Sequence, residues 1–207
     1  MSKPDLVIAS KNRHKVREIK EILAGLPMVV KGVSEVADLP DVAEDGDTFT
    51  ANAVKKALCT AKALGCMALA DDSGLMVDCL NGEPGVYSAR YAGSPADDQA
   101  NNAKLLAKMA GVPWEQRDAH FHCVIALASP TGEITTYTGV CSGKIGFEPK
   151  GTNGFGYDPL FVVPELAQTF AELDPAVKNQ ISHRAKALAL LRQGLCQKFG
   201  CTSGNEY

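Results

Sequence analysis

Asp71 and Asp72 stand side by side in "ALADDSGL", residues 68–75. Neighbouring carboxylates repel unless something separates or neutralises them. If a strand continues through them, their side chains point to opposite faces. One can then face a ligand while the other is held from behind. Oxygen donors of this type suit Mg²⁺, which binds through one or two carboxylates together with phosphate oxygens and water. The competing reading is a strand-end turn, "DDSG", with Ser73 and Gly74 closing it and both acids in water. Glu44, in an acid-rich stretch upstream, offers a second ligand.

Three further stretches could carry chemistry. "SKNRHK", residues 10–15, falls where a strand should turn into a helix. Free backbone N–H groups and the positive end of the helix dipole suit a phosphate there. Ser10 and Asn12 add hydrogen-bonding side chains, and Lys11, Arg13 and Lys15 add positive charge. An ordinary solvated helix start accounts for the same residues, and the Walker A pattern is missing. Near the other end, Lys178 comes just before Ser182, read as a helix N-cap, and His183 and Arg184 follow at once. Cations at a helix N-terminus cost roughly 0.3–1 kcal/mol each, which a ligand rich in acceptors could offset. A solvated basic turn, or a salt bridge to the acidic loop, explains them equally. In "GFGYDP", Gly154 and Gly156 free the backbone around Phe155, so its ring could lie against a planar base. A structural turn locked by Pro159 is the alternative. His120 and His122 share one strand face and read as structural, since no third ligand sits at metal spacing.

These residues need elements to hold them. "DLVIAS" reads as a buried strand, and "NRHKVREIKEIL" as a helix with Val16, Ile19, Ile22 and Leu23 at helical spacing. Residues 35–47 carry six acids and few large apolar residues, so they read as a loop. "DTFTANAVKKALCTAKALG" is a second helix, capped near Asp47 or Thr48 and stopped by Gly65. "CMALA" is a strand that delivers the two acids. "NGEPGVYSARYAGSP" is a long ordered loop, and residues 98–110 form a third helix, stopped by Gly111 and Pro113. "HFHCVIALA" and "EITTYTGVC" form an antiparallel hairpin around "SPTG", and a further strand at about 141–148 continues it. "GTNGFGYDP" is a glycine-rich loop and "LFVV" a short strand. The last helix runs from its cap at Ser182 to Gly200. The pattern predicts an α/β fold around a mixed sheet.

The whole chain sets limits on function. Its 207 residues can bury a full core, and the composition is 45% hydrophobic and 22% charged. A net charge of −3 argues against a dedicated nucleic-acid binder. Met1 to Pro4 lead directly into a short strand, so no secretory signal is expected, and no run approaches the length of a membrane span. Seven cysteines without a C-x-x-C pair read as reduced thiols in a cytoplasm.

Taken in order, the segments resemble the inosine triphosphate pyrophosphatase family. The resemblance rests on "SKNRHKVREI", "TFTANAVKKA", "ADDSGLMVD", "PGVYSARYAG", "NNAKLL", "GTNGFGYDPLF" and "KNQISHRAKAL", which span nearly the whole chain. It implies one domain over residues 1–207, with a mixed twisted sheet, flanking helices and an elongated two-lobed shape around a substrate cleft. It implies hydrolysis of inosine and xanthosine triphosphates, and their deoxy forms, to the monophosphate and pyrophosphate. Mg²⁺, a homodimer and a cytoplasmic location come with it, and no nucleic-acid or membrane partner. Residue by residue, Ser10, Lys11, Asn12, Arg13, His14 and Lys15 would hold the triphosphate. Glu44 and Asp72 would hold Mg²⁺, with Asp72 also accepting the proton from water, and Ser73 would touch substrate. Phe155 would stack on the base within a stretch that includes Gly156, Tyr157 and Asp158. Lys178, His183 and Arg184 would complete the base pocket. One departure stands out: the family commonly has Glu before the Asn of "NA" in the second helix, and this chain has Ala51. Two other readings are a nucleotide-binding protein that has lost the chemistry, favoured only by Ala51, and a metal-dependent nuclease or phosphomonoesterase, disfavoured by the acidic charge.

Overall fold

The computed structural model describes residues 4–199. The run Leu6–Val7–Ile8 is buried and forms β1 (Asp5–Ile8). β1 pairs in parallel with β2 (Val29–Gly32) on one side and with β3 (Met67–Val77) on the other. Helix α1 (Arg13–Ile22) lies between β1 and β2 in sequence, and α2 (Phe49–Leu64) precedes β3. Thr48 caps α2 by accepting from Ala51 N–H, and Gly65 ends it in the left-handed region at φ 63°. α3 (Asp98–Lys108) is capped by Asp97. It is followed by the long strands β4 (Asp118–Ala128) and β5 (Ile134–Ile145). β6 (Phe161–Val163) and β7 (Gln168–Thr169) are short and antiparallel. The strand order is β2-β1-β3-β4-β5-β6-β7, so the sheet is mixed, as expected. Helices α4 (Pro175–Ile181) and α5 (His183–Phe199) follow.

The chain divides into two compact units. The first runs up to Asp72, takes in Cys123–Gly139, and resumes at Arg184. One part of its core joins Leu6, Ile8, Ile19, Leu23, Ile125, Leu188 and Leu191. Another is built almost wholly from small residues, among them Ala53, Ala57, Ala61, Ala68, Ala70 and Ala126. Alanines on one face of α2 and on β3 let backbone approach backbone closely. The second unit holds Ser73–His122 and Val140–His183. Its core is aromatic: Phe161 lies 4.7 Å from Phe121 and 4.8 Å from Phe170, ring centre to ring centre. Arg117 is buried there and donates to the carbonyls of Met109 and Val112, at and beyond the end of α3, and to those of Ile145 and Gly146. Carbonyls at a helix C-terminus carry partial negative charge, which suits a buried guanidinium.

Several expectations need correcting. The strand does not stop at Asp71; β3 continues through Asp72, Ser73 and Gly74, so "DDSG" is not a turn. The separate strand expected at 141–148 is the end of β5, which is one strand to Ile145. Ser182 directly precedes α5, where the cap is expected, and is at the same time the C-cap residue of α4, an element of seven residues that the sequence pattern passes over because it is too short to show helical periodicity. β2, four residues long, escapes for the same reason. The expected stop at Gly200 lies outside the described residues. Among the described residues no helix is long and apolar enough to cross a membrane.

Candidate active site

Because β3 runs straight through the acid pair, Asp71 and Asp72 face opposite ways. Both carboxylates belong to the first unit. Asp71 is 1% exposed. One oxygen pairs with Lys15 Nζ. The other accepts from Arg184 Nε at 3.1 Å and from the Cys123 thiol at 3.0 Å. Arg184 Nη1 in turn donates to Glu18 Oε2 at 2.6 Å. Burial alone would raise the Asp71 carboxyl, but the Arg184 guanidinium and the Lys15 ammonium outweigh it and hold it well below the usual carboxylate range. The same burial, with Asp71 beside it, pushes the Cys123 thiol well up, so the sulfur keeps its proton and donates.

Asp72 has a different setting. Its Oδ1 accepts from Lys56 Nζ at 2.9 Å and its Oδ2 from Asn52 Nδ2 at 3.3 Å. Lys56 also pairs with Glu44 and donates to the Asp71 carbonyl at 2.8 Å. Burial raises the Asp72 carboxyl; Lys56 opposes that and Glu44 reinforces it, and the net shift is upward. Asn52 ties the acidic loop to α2, because its Oδ1 accepts Gly46 N–H at 2.8 Å. Glu44, from the loop, and Asp72, from β3, therefore meet at one ammonium. Carboxylate oxygens from two elements that converge on one cation are the donor type Mg²⁺ takes. Among the described residues no group of three or more His, Cys, Asp or Glu gathers. An ion at this pair would draw its remaining ligands from water or substrate.

The helix start at 10–15 is partly satisfied from within. Asn12 Oδ1 accepts from His14 N–H at 3.0 Å and Lys15 N–H at 3.1 Å, and Ser10 Oγ accepts from Asn12 N–H at 3.2 Å. Lys15 reaches Asp71, and Lys11 reaches Asp41 at 3.0 Å on the exposed surface. Two of the cations that looked awkward in a first turn are thus paired to carboxylates of the chain, while Arg13 and His14 are exposed. Ala51, the departure from the family pattern, is exposed at the third position of α2, where Thr48 caps its N–H at 3.1 Å. A Glu there would complete a capping box.

The second unit brings together Phe155, Asp158 and Lys178. Asp158 Oδ2 accepts from Phe155 N–H at 2.9 Å and from Lys178 Nζ at 2.6 Å. The ammonium lies 5.1 Å from the Phe155 ring centre. Gly154 has φ 76°, and a Cβ there would sit 2.0 Å from Asp158 Oδ2, so the loop requires glycine. Tyr157 points into the core and donates its hydroxyl proton to the Ser88 carbonyl at 2.8 Å. His183 stacks on Phe121 at 4.6 Å. Ser73 is half-buried in β3. Arg184 Nε and Nη1 are engaged with Asp71 and Glu18 in the first unit. His120, read as structural, contacts Ser142 and Asp78.

Sequence reading missed Lys56, Asn52, Glu18 and Cys123. A signal existed for two of them. On α2 the buried residues are Asn52, Ala53, Ala57, Thr60 and Ala61, and Lys56 is four residues from Asn52 and three from Ala53. A lysine on the apolar side of a helix needs a buried partner.

The Ham1 family profile matches residues 6–194 of this chain. A protein of Desulforamulus reducens named dITP/XTP pyrophosphatase is 57% identical over 183 residues, covering 88% of this chain and 91% of that one. Another of the same name, from Geobacter sulfurreducens, is 54% identical over 190 residues, covering 92% and 96%. A solved structure of a HAM1 protein from Coxiella burnetii superposes with a TM-score of 0.86 at 44% identity, covering 94% of this chain and 99% of that one.

Proposed function

This chain belongs to the Ham1 family, and from that premise we propose that it hydrolyses deaminated purine nucleoside triphosphates (ITP, dITP, XTP) to the monophosphate and pyrophosphate. The observation that carries the chemistry is the convergence of Glu44 and Asp72 on one cation. Water attacks the α-phosphorus. A new P–O bond forms there, the bond to the oxygen bridging α and β breaks, and pyrophosphate leaves. Asp72 takes the proton from the attacking water, a role its raised pKa suits. Glu44 and Asp72 would hold Mg²⁺, which when bound supplies positive charge to the phosphate oxygens. Lys56 and Lys15 add charge from the chain itself. Ser10 to Lys15 bind the phosphates, with Arg13 exposed at the start of the helix.

The base-holding roles fall to Phe155 by stacking and to Lys178, His183 and Arg184 as donors. Inosine and xanthosine carry a keto oxygen at position 6, where adenine has an amino group. Lysine and arginine donate only, so they favour the oxygen. That logic leaves guanine, also 6-keto, to be told apart at position 2. The homodimer and cytoplasmic location belong to the same proposal; light scattering behind size-exclusion chromatography tests the first. The decisive experiment resolves products from ITP, XTP, dITP, GTP and ATP with Mg²⁺. Pyrophosphate from the deaminated purines is expected. Orthophosphate release would overturn the proposed bond cleavage.

A further inference from the structure

The loop that carries Phe155 is pinned from α3 through both polar groups of Gly156. Gly156 N–H donates to Asp98 Oδ2 at 2.7 Å, and the Gly156 carbonyl accepts from Asn102 Nδ2 at 2.9 Å. Asp98 and Asn102 are four apart on α3, so they share one face of the helix. The helix does not need Asp98 as its cap, because Asp97 already accepts from Gln99 and Ala100 N–H. Asn102 is buried, and its Oδ1 finds no hydrogen-bond partner among the described residues. A buried acceptor left without a donor is costly, and an apolar residue would fill the space without that cost. Gly156 is half-buried, so its carbonyl could turn to water if Asn102 were absent. The amide is therefore poorly explained by stability and well explained by the loop it holds.

We infer that Asn102 and Asp98 are positioning residues for base recognition. They hold the N–H and the carbonyl of Gly156 from one face of α3 and so fix the residue before it, Phe155, whose backbone N–H Asp158 accepts. The inference rests on the proposed stacking of the base on Phe155. It assigns a task to "DQANNAKLL" that the substrate-binding residues leave unassigned.

The test measures KM and kcat for ITP, the Ki of inorganic tripolyphosphate as a base-free ligand, and the unfolding temperature. Asn102→Leu and Asp98→Ala should each raise KM for ITP about three- to ten-fold, the worth of one hydrogen bond, with kcat little changed. Tripolyphosphate should bind both variants as it binds the wild type. Asp98→Asn keeps an acceptor for Gly156 N–H and should restore KM. Asn102→Leu should unfold at the wild-type temperature or above. Phe155→Ala is measured in parallel, alone and combined with Asn102→Leu, and the two effects should not add. If Phe155→Ala leaves KM for ITP unchanged, the stacking itself is wrong. If Phe155→Ala raises KM and Asn102→Leu does not, the clamp is wrong. A loss of stability with unchanged KM would make Asn102 a structural residue and overturn the inference.

Discussion

Two faces of one strand treat the same side chain in opposite ways. Asp71 and Asp72 are adjacent in β3, both carboxylates, both buried. On the Asp71 face two cations and a thiol surround the acid, and its pKa falls well below the ordinary range. On the Asp72 face one ammonium is shared with a second carboxylate, Glu44, and the pKa rises. Burial pushes both upward; Arg184 and Lys15 outweigh it at Asp71, whereas at Asp72 Lys56 and Lys15 do not overcome burial and the neighbouring Glu44. An acid stripped of its proton at all working pH values is a good anchor and a poor base. An acid whose proton affinity is raised is the better proton acceptor.

The sharpest way to break this contrast is Asp72→Asn. Turnover of ITP should fall about 10²–10⁴-fold, the range for losing a general base, while nucleotide binding is partly retained. Its folded stability at neutral pH should not drop, because a raised pKa means the fold disfavours the ionised form. Wild-type turnover would remove Asp72 from the role of base.

Asp71→Asn should do the reverse to stability. Removing one partner from a buried charge network costs about 3–5 kcal/mol, read from urea unfolding at pH 7. The sign with pH follows from the depressed pKa. The stabilisation is complete above the unfolded value, about 3.9, and is lost as pH falls through the folded one. The gap between wild type and variant should therefore narrow on acidification below the ordinary carboxylate range. A gap independent of pH would show that packing, rather than charge, holds Asp71.

Lys56→Met sharpens the other face. Lys56 is the largest influence lowering Asp72, so its loss should move the acid limb of kcat/KM to higher pH. An unmoved limb would mean that another group titrates there. The smallest effect concerns the helix that carries Lys56. Ala51→Glu completes the capping box with Thr48 and should stabilise the fold by roughly 0.5 kcal/mol, leaving turnover unchanged.

Much of this was legible in the chain. Val16, Ile19, Ile22 and Leu23 mark α1, and Thr48 and Gly65 bracket α2, because periodicity, caps and left-handed glycines are local properties. The two glycines that frame Phe155 were also visible as composition. Short elements were not: β2 and α4 depend on partners distant in sequence.

By itself the sequence determined the family, the acids, and the cation-rich helix starts, since these are residue types in order. Tertiary structure decided who neutralises whom. Arg184 lies 113 residues from Asp71, and Lys56 lies 12 from Glu44 and 16 from Asp72. Burial and charge pairing act through space, with a strength set by distance and by the exclusion of water. No spacing along the chain encodes that distance, so neither the anchoring of Asp71 nor the raised pKa of Asp72 could be read before the strand was seen to run through both.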